Sequence, residues 1–285
     1  MNTSLVPLKH GFFVNGNLTI EQGTKIKFSK DSYLIVKGAL ETNGTIKKPI
    51  IFTSLDERSY WSGVYVLNAN KVSKIENTKF LNLNAINSGP LNLTGAISFY
   101  NSDVDIKNVI FENSISEDAL NIVSSKFLIE NSEFKNCKSD AFDSDFSDGK
   151  ILNSFFHNIQ GDAVDFSGSN VQIDSLITKN IYDKSVSVGE ASNVNIFDSI
   201  ISNSRIGIAT KDGSITSAKN IQFKDNELYD VMTFFKKSFY GAPILKLENE
   251  NYKEKIKTIS QSGTFLYINK EQINNQNLNV AELYL

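Results

Sequence analysis

Asp143 and Asp165 stand 22 residues apart in matching contexts, Ala141-Phe142-Asp143-Ser144 and Ala163-Val164-Asp165-Phe166. If the chain repeats with that period in short strands, Leu120, Phe142, Val164, Val186 and Ile208 point inward, and Asn121, Asp143, Asp165, Ser187 and Ala209 turn outward on one sheet face. Successive coils would lie roughly 4.8 Å apart, which makes the two carboxylates stacked like charges. Such a pair persists when a cation binds between the groups, when one carboxyl keeps its proton, or when the side chains splay into water. Asp145 follows on the same face, Asp148 and Glu190 fall in the bend beyond it, and Asp118, Asp140, Asp162 and Lys184 form a second column. Two chemistries follow. Asp143 and Asp165 form a candidate Ca²⁺ site, or they act as a carboxylate pair on a sugar. In the second case Lys184, Arg205 or Lys211 serves as base or anion clamp, and Asn121, Asp145, Ser187 and Glu190 contact the substrate. The structural alternative is that Asp and Asn fill outward slots as solubilising residues, cap short strands through local bonds and deter edge pairing.

The elements that must position these residues are legible as a repeat. Ala119, Ala141, Ala163, Ser185 and Gly207 open equivalent segments at a spacing of 22. Ile106, Ile129, Ile151, Ile173, Ile196 and Ile215 form a second column, and Phe80, Phe111, Phe134, Phe156, Thr178, Ile201 and Phe223 a third. Asn82, Asn113, Asn136, Asn158, Asn180 and Asn203 follow the first six members of the third column by two residues. Several columns sharing one period signal a repeat architecture. The stretches between columns are short, alternate with period two and are rich in Ile, Val and Phe, which makes them strands. Asn tolerates left-handed backbone and bonds its own main chain, so 33 asparagines in 285 residues imply many bends. Two or three short strands per 22-residue turn, with Asn at the corners, describe one coil of an all-β, parallel β-helix.

Composition narrows the partners. The chain carries 29 basic and 32 acidic side chains, a formal net charge of −3 and a pI near 5.6, with no basic stripe of the kind that binds phosphate backbones. Nucleic acid is therefore not an expected partner. No apolar run approaches the roughly 18 residues of a membrane span, and the N-terminus lacks a basic head followed by an apolar stretch. A trimmed leader or a longer parent would leave the same sequence, so the compartment stays open. The single Cys excludes an intramolecular disulfide and a thiolate metal cage; Cys137 aligns with Ile159 and reads as a core residue. Trp61 reads as strand-edge packing or a sugar platform, and His157 as a corner residue in the place of Lys135 and Lys179. Residues 1–15 are expected to form a lead-in, 16–235 the coils and 236–285 a C-terminal capping segment, with a loop insertion around Asn82 to Leu93.

The runs Gly16–Phe28, Leu34–Leu40, Pro49–Ser54 and Trp61–Val66 resemble the opening coils of right-handed parallel β-helix proteins of the pectin-lyase-like superfamily, and the resemblance extends over roughly residues 15 to 235. It implies a fold shared by polysaccharide lyases, glycosidases, epimerases, phage tail proteins and adhesins, and it implies extracellular or surface use. Fold alone does not assign the activity. The chain lacks an adjacent Asp-Asp with a Gly-His-Gly partner, an Asp-Pro-His-Glu and a Trp-x-Asp-His, the motifs of three enzyme groups within the superfamily. The first expectation is thus a non-catalytic module that binds polysaccharide at a cell or phage surface, with Ala119, Ala141, Ala163, Ser185 and Gly207 leaving room for the chain. The second is a polysaccharide lyase or C5 epimerase acting on an acidic glycan through the Asp/Lys face. The third is a structural module that forms an oligomer or joins a larger assembly through residues 236–285.

Overall fold

Short strands separated by residues that accept left-handed backbone make a chain that bends every few positions, and the bends recur at one period. The result, in a computed structural model that describes residues 5–8, 10–249 and 255–281, is a parallel β-solenoid of about 11 turns with about 23 residues per turn. Residues 1–4 and 9 of the lead-in, and 250–254 and 282–285 of the C-terminal segment, lie outside the described residues.

Each regular coil has three faces. One runs Glu133–Cys137, Asp140–Asp145 and Asp148–Leu152, after which Phe155–Ile159 begins the next. We call the face holding Asp140–Asp145 the site face. Parallel pairing sets Phe134 against Phe156, Asp143 against Asp165 and Ile151 against Ile173, so the sequence period is also the strand register. The strands Ile177–Gly189 and Ile200–Lys211 run on through a corner, with a register shift between Ile181 and Lys184. The interval widens between Trp61 and Gly95 because a small hairpin, Asn87–Ser88 against Leu91–Asn92, is inserted there. Parallel pairing continues beyond residue 235, where Ile244–Glu248 and Phe265–Ile268 extend one face and Thr258–Ser260 extends the site face.

Apolar columns stack along the axis to form the core. Phe80, Phe111, Phe134 and Phe156 pile up with ring centroids 5.3, 4.4 and 4.4 Å apart, and all four are fully buried. Trp61 belongs to this core: it stacks on Phe28 at 4.0 Å, and its indole N–H donates to the carbonyl of Leu81. Gly63, with φ of 74°, lets the backbone of Ala96 approach so closely that a Cβ would sit 1.8 Å from its carbonyl oxygen.

The corners hold ladders of polar side chains. Asn113, Asn136, Asn158, Asn180 and Asn203 have φ between 49° and 60°, and each amide donates to the Asn one coil earlier. A second ladder was not apparent in the sequence columns. The backbone N–H groups of Ser102, Ser125, Ser147, Ser169 and Ser192 each donate to the hydroxyl of the Ser one coil later. These bonds satisfy donors that a buried bend would otherwise orphan.

Candidate functional site

Along the outward side of the site face, pairing brings Phe13, Ile35, Tyr65, Ser98, Asn121, Asp143, Asp165, Ser187, Ala209, Met232 and Ile259 into one column. The inward partners Leu120, Phe142, Val164, Val186 and Ile208 are fully buried, as period-two alternation requires. The column passes from an aromatic stretch through a polar and acidic one to an apolar end.

The acidic stretch is more enclosed than its outward direction suggests. Asn121 is 6% exposed and Ser187 is fully buried, because longer side chains from adjoining positions fold across them. The Asn121 amide donates to Asp143 Oδ2 at 3.4 Å and to Asp145 Oδ2 at 3.2 Å. Lys211 is 3% exposed; its ammonium donates to the Ser187 hydroxyl at 2.9 Å and lies 3.6 Å from Asp165 Oδ1. Lys184 is also 3% exposed and donates to Asp183 Oδ2 at 2.6 Å and to Asp162 Oδ1 at 3.2 Å. At the border, Glu190 accepts from the Ser167 hydroxyl at 2.7 Å and from the Lys237 ammonium at 2.6 Å. Arg205 stands elsewhere, lining a shallow depression with Asn180, Tyr182, Asp225 and Glu227.

Burial sets the protonation of the carboxyls. It pushes Asp140 up to about 8, helped by Asp162, and Asp118 up to about 7, opposed by a hydrogen bond with Thr94. Asp162 reaches about 6, since burial outweighs the attraction of Lys184. Burial raises Asp143 well above the ordinary range, with Asp118 and Asp145 adding repulsion, and raises Asp145 against the Asn121 hydrogen bond. Asp165 goes the other way. Burial opposes its charge, but Lys211, Ser187, Lys184 and the Phe166 N–H together hold its carboxyl below the ordinary value. The stretch therefore sets the ionised carboxylate of Asp165 beside Asp140, whose carboxyl keeps its proton at neutral pH. Among the described residues, Asp143 Oδ1 and Asp118 Oδ2 are buried without a hydrogen-bond partner.

The structure thus brings Asn121, Asp143, Asp145, Asp165, Lys184, Ser187, Glu190 and Lys211 into one neighbourhood and leaves Arg205 out of it. Among the described residues, a group of three carboxyls with oxygens within 4.8 Å of one another is formed by Asp140, Asp162 and Asp165, so the column of Asp140 and Asp162 meets that of Asp165. Two of those three carboxylates already face an ammonium group, which neutralises charge that a divalent cation would otherwise offset. The small residues Ala119, Ala141, Ala163 and Ser185 are fully buried and offer no surface. They sit inside the corner, where the Ser185 hydroxyl bonds those of Thr178 and Ser204. At Gly207 a Cβ would meet the Asp230 carbonyl at 2.4 Å, so it too is closed in by the next coil. Cys137 is buried and its thiol is pushed up to about 12 by burial. His157 is half-buried, with Nε2 2.8 Å from Glu133 Oε1.

Sequence reasoning did not single out Tyr65 and Tyr100, which occupy adjacent coils of the site face, although their strands align with those of Ser98 and Val123. The C-terminal segment, expected as a cap, was not expected to meet this face. Its Gln276 N–H donates to the Ser260 carbonyl at 2.7 Å, and Leu278 and Val280 pack on Ile206, Ala209, Met232, Phe234 and Ile259.

Among solved structures, a point mutant of the periplasmic alginate epimerase AlgG is similar with a TM-score of 0.68 at 10% identity, covering 94% of this chain and 77% of that one. The unmutated epimerase gives a TM-score of 0.63 at 12% identity, covering 93% and 76%. At these identities the likeness is one of fold. A glucanase catalytic domain is also similar, with a TM-score of 0.46 at 12% identity, covering 87% of this chain and 60% of that one. No curated protein matches the sequence. The right-handed β-helix region family matches residues 95–244. With more than half its length so matched, and a parallel solenoid throughout the described residues, the chain belongs to the right-handed β-helix family.

Proposed function

We propose that the protein is a polysaccharide-binding β-helix and that the glycan lies along the outward side of the site face. The observation that carries this reading is the single column running from Tyr65 through Ser98, Asn121 and Asp143 to Asp165. Tyr65, Asp143 and Asp165 are half-buried at the surface of this column, with Tyr100 and Asp145 beside them, while Ser98 and Asn121 are closed in beneath. Sugars are bound by aromatic faces and by donor and acceptor groups in register, and both are present here. The fold shared with an alginate epimerase is in keeping with a glycan partner. The test is a screen of polysaccharides and oligosaccharides at millimolar concentration, read by calorimetry. Binding that weakens in Asn121→Ala is the expected result, and failure of every glycan overturns the reading.

A second reading, acid–base turnover of the bound glycan, rests on the contrast between Asp165, held ionised, and Asp140, held protonated at neutral pH. Carboxyls driven apart in this way divide the roles of acid and base. With oxygens within 4.8 Å of one another, too close to admit a water between them, the protonated partner would give its proton to the departing glycosidic oxygen while Asp165 attacks the anomeric carbon, and water would then cleave that glycosyl ester and return a proton to the first carboxylate. Elimination or C5 epimerisation of a uronate needs a cation for the sugar carboxylate, and Lys184 and Lys211 are buried and already bonded. The geometry therefore favours hydrolysis over those reactions. Release of reducing ends that is lost in Asp165→Asn, with binding retained, is the expected signature; equal release by the variant removes this reading.

A further inference from the structure

Three features of the site face outside the acidic stretch bear on which glycan it holds. The first is aromatic. Tyr100 is 47% exposed, and Tyr65 lies beside it; burial raises the Tyr65 hydroxyl, with Tyr100 adding to the effect. Phe146, 67% exposed, stands at the border next to Asp145 above Gly168, where a Cβ would lie 2.7 Å from the Phe146 ring. Tyr65 is three coils from Asp143, about 14 Å at the coil spacing.

The second is charge. Asp143, Asp145, Asp165 and Glu190 all face the stretch, and its interior ammonium groups are enclosed and engaged. The exposed ammonium at the border, Lys237, is bonded to Glu190. A uronate laid here would set its carboxylate against that of Asp165, which is held ionised, while the neighbouring ammonium groups are already engaged.

The third is closure. Two coils beyond Asp165 the column reaches Ala209, fully buried beneath the apolar cluster on which Leu278 and Val280 pack. Gln276 bonds the Ser260 strand and Lys237 reaches Glu190, so this side is walled while the Tyr100 side is open.

We propose that the site face is a one-ended groove for an uncharged glycan, with the chain terminus held at the Asp165 end against the C-terminal segment and the following sugars stacked on Tyr100 and Tyr65. This rests on the polysaccharide reading above and specifies the charge of the sugar and the part of the chain that is recognised. The experiment titrates the full chain with uncharged hexasaccharides (β-1,4-gluco, β-1,3-gluco and β-1,4-xylo), with a hexauronate, and with the long soluble polymer of whichever hexasaccharide binds. The expected result is that an uncharged hexasaccharide binds at least tenfold more tightly than the hexauronate, and that its polymer binds in proportion to chain ends rather than mass. Tyr100→Ala, at an exposed position, should weaken binding by up to about tenfold. A hexauronate that binds as well, a polymer that binds in proportion to its mass, or an unchanged Tyr100→Ala overturns the proposal and leaves the polysaccharide reading standing. If no glycan binds, both fall together.

Discussion

Asp140 and Lys184 show what burial does to single side chains in this protein. The Asp140 carboxyl accepts the Asp162 N–H at 2.7 Å, yet burial pushes its proton affinity up to about 8. Asp118, Asp140 and Asp162 all bind a proton more tightly in the folded chain than in the unfolded one, where the ordinary value is 3.8. Their contribution to stability is thus greatest below that value and is lost as pH rises towards about 8. Asp165, held lower, acts oppositely and loses its contribution only as pH falls below the ordinary range. Thermal unfolding should accordingly occur at a higher temperature at pH 5 than at pH 8.5, with a smaller difference in Asp140→Asn; a flat profile in the parent chain contradicts this account. Lys184 compensates Asp162 in an enclosed setting, where removing one partner strands the other charge. Lys184→Met should cost about 3–5 kcal/mol in denaturant unfolding at pH 8, with part of the loss recovered in Asp162→Asn/Lys184→Met.

Each strand of a coil is only three to six residues long in most of the solenoid, too short to be stable alone. The elements are held by ladders along the axis. Asn158 illustrates the corner ladder: its φ is 56°, its amide donates to Asn136 and its carbonyl oxygen accepts from Asn180. Asn158→Ala loses both bonds and places an unsuited residue in left-handed backbone, so a loss of about 1–3 kcal/mol is expected. Asn158→Gly should lose less, because glycine accepts that conformation. The aromatic ladder carries more. Phe134 lies between Phe111 and Phe156 at 4.4 Å from each, and Phe134→Ala should cost about 3–5 kcal/mol, measured by the same unfolding curves.

Over the whole molecule, each coil contacts chiefly its neighbours, so stability is approximately a sum over coils and their interfaces. The outward column on the site face is the feature that spans many coils, and it changes character along its length: aromatic, then polar and acidic, then apolar and covered. The last part depends on residues distant in sequence from the coils they cover, since Leu278 and Val280 pack on the cluster formed by Ile206, Ala209, Met232, Phe234 and Ile259. Leu278→Ser/Val280→Ser should therefore lower the unfolding midpoint modestly and raise binding of a hydrophobic dye, while the far-ultraviolet signature of the coils persists. A variant that loses its β-structure altogether would show that the segment is required for the solenoid itself.

The sequence by itself determined the coil: its period, its inward and outward columns, the burial of Cys137 and the Asn corners. These are local properties, because strand alternation and left-handed bends act within a few residues, and the parallel register then equals the repeat length. It also determined that Asp143 and Asp165 are stacked neighbours. Only the tertiary structure decided what that stacking means. Whether Asp165 is charged depends on Lys211, two coils away and folded across Ser187, and whether Asp140 joins the cluster depends on how corner and strand side chains converge. Arg205 could not be told from Lys184 by spacing, since a register shift at the corner separates their surroundings. The same holds for the covered end of the groove, where the tail returns across coils lying some 70 residues before it. Charge and cover act through space at a few ångströms, and no repeat column records which side chains meet there.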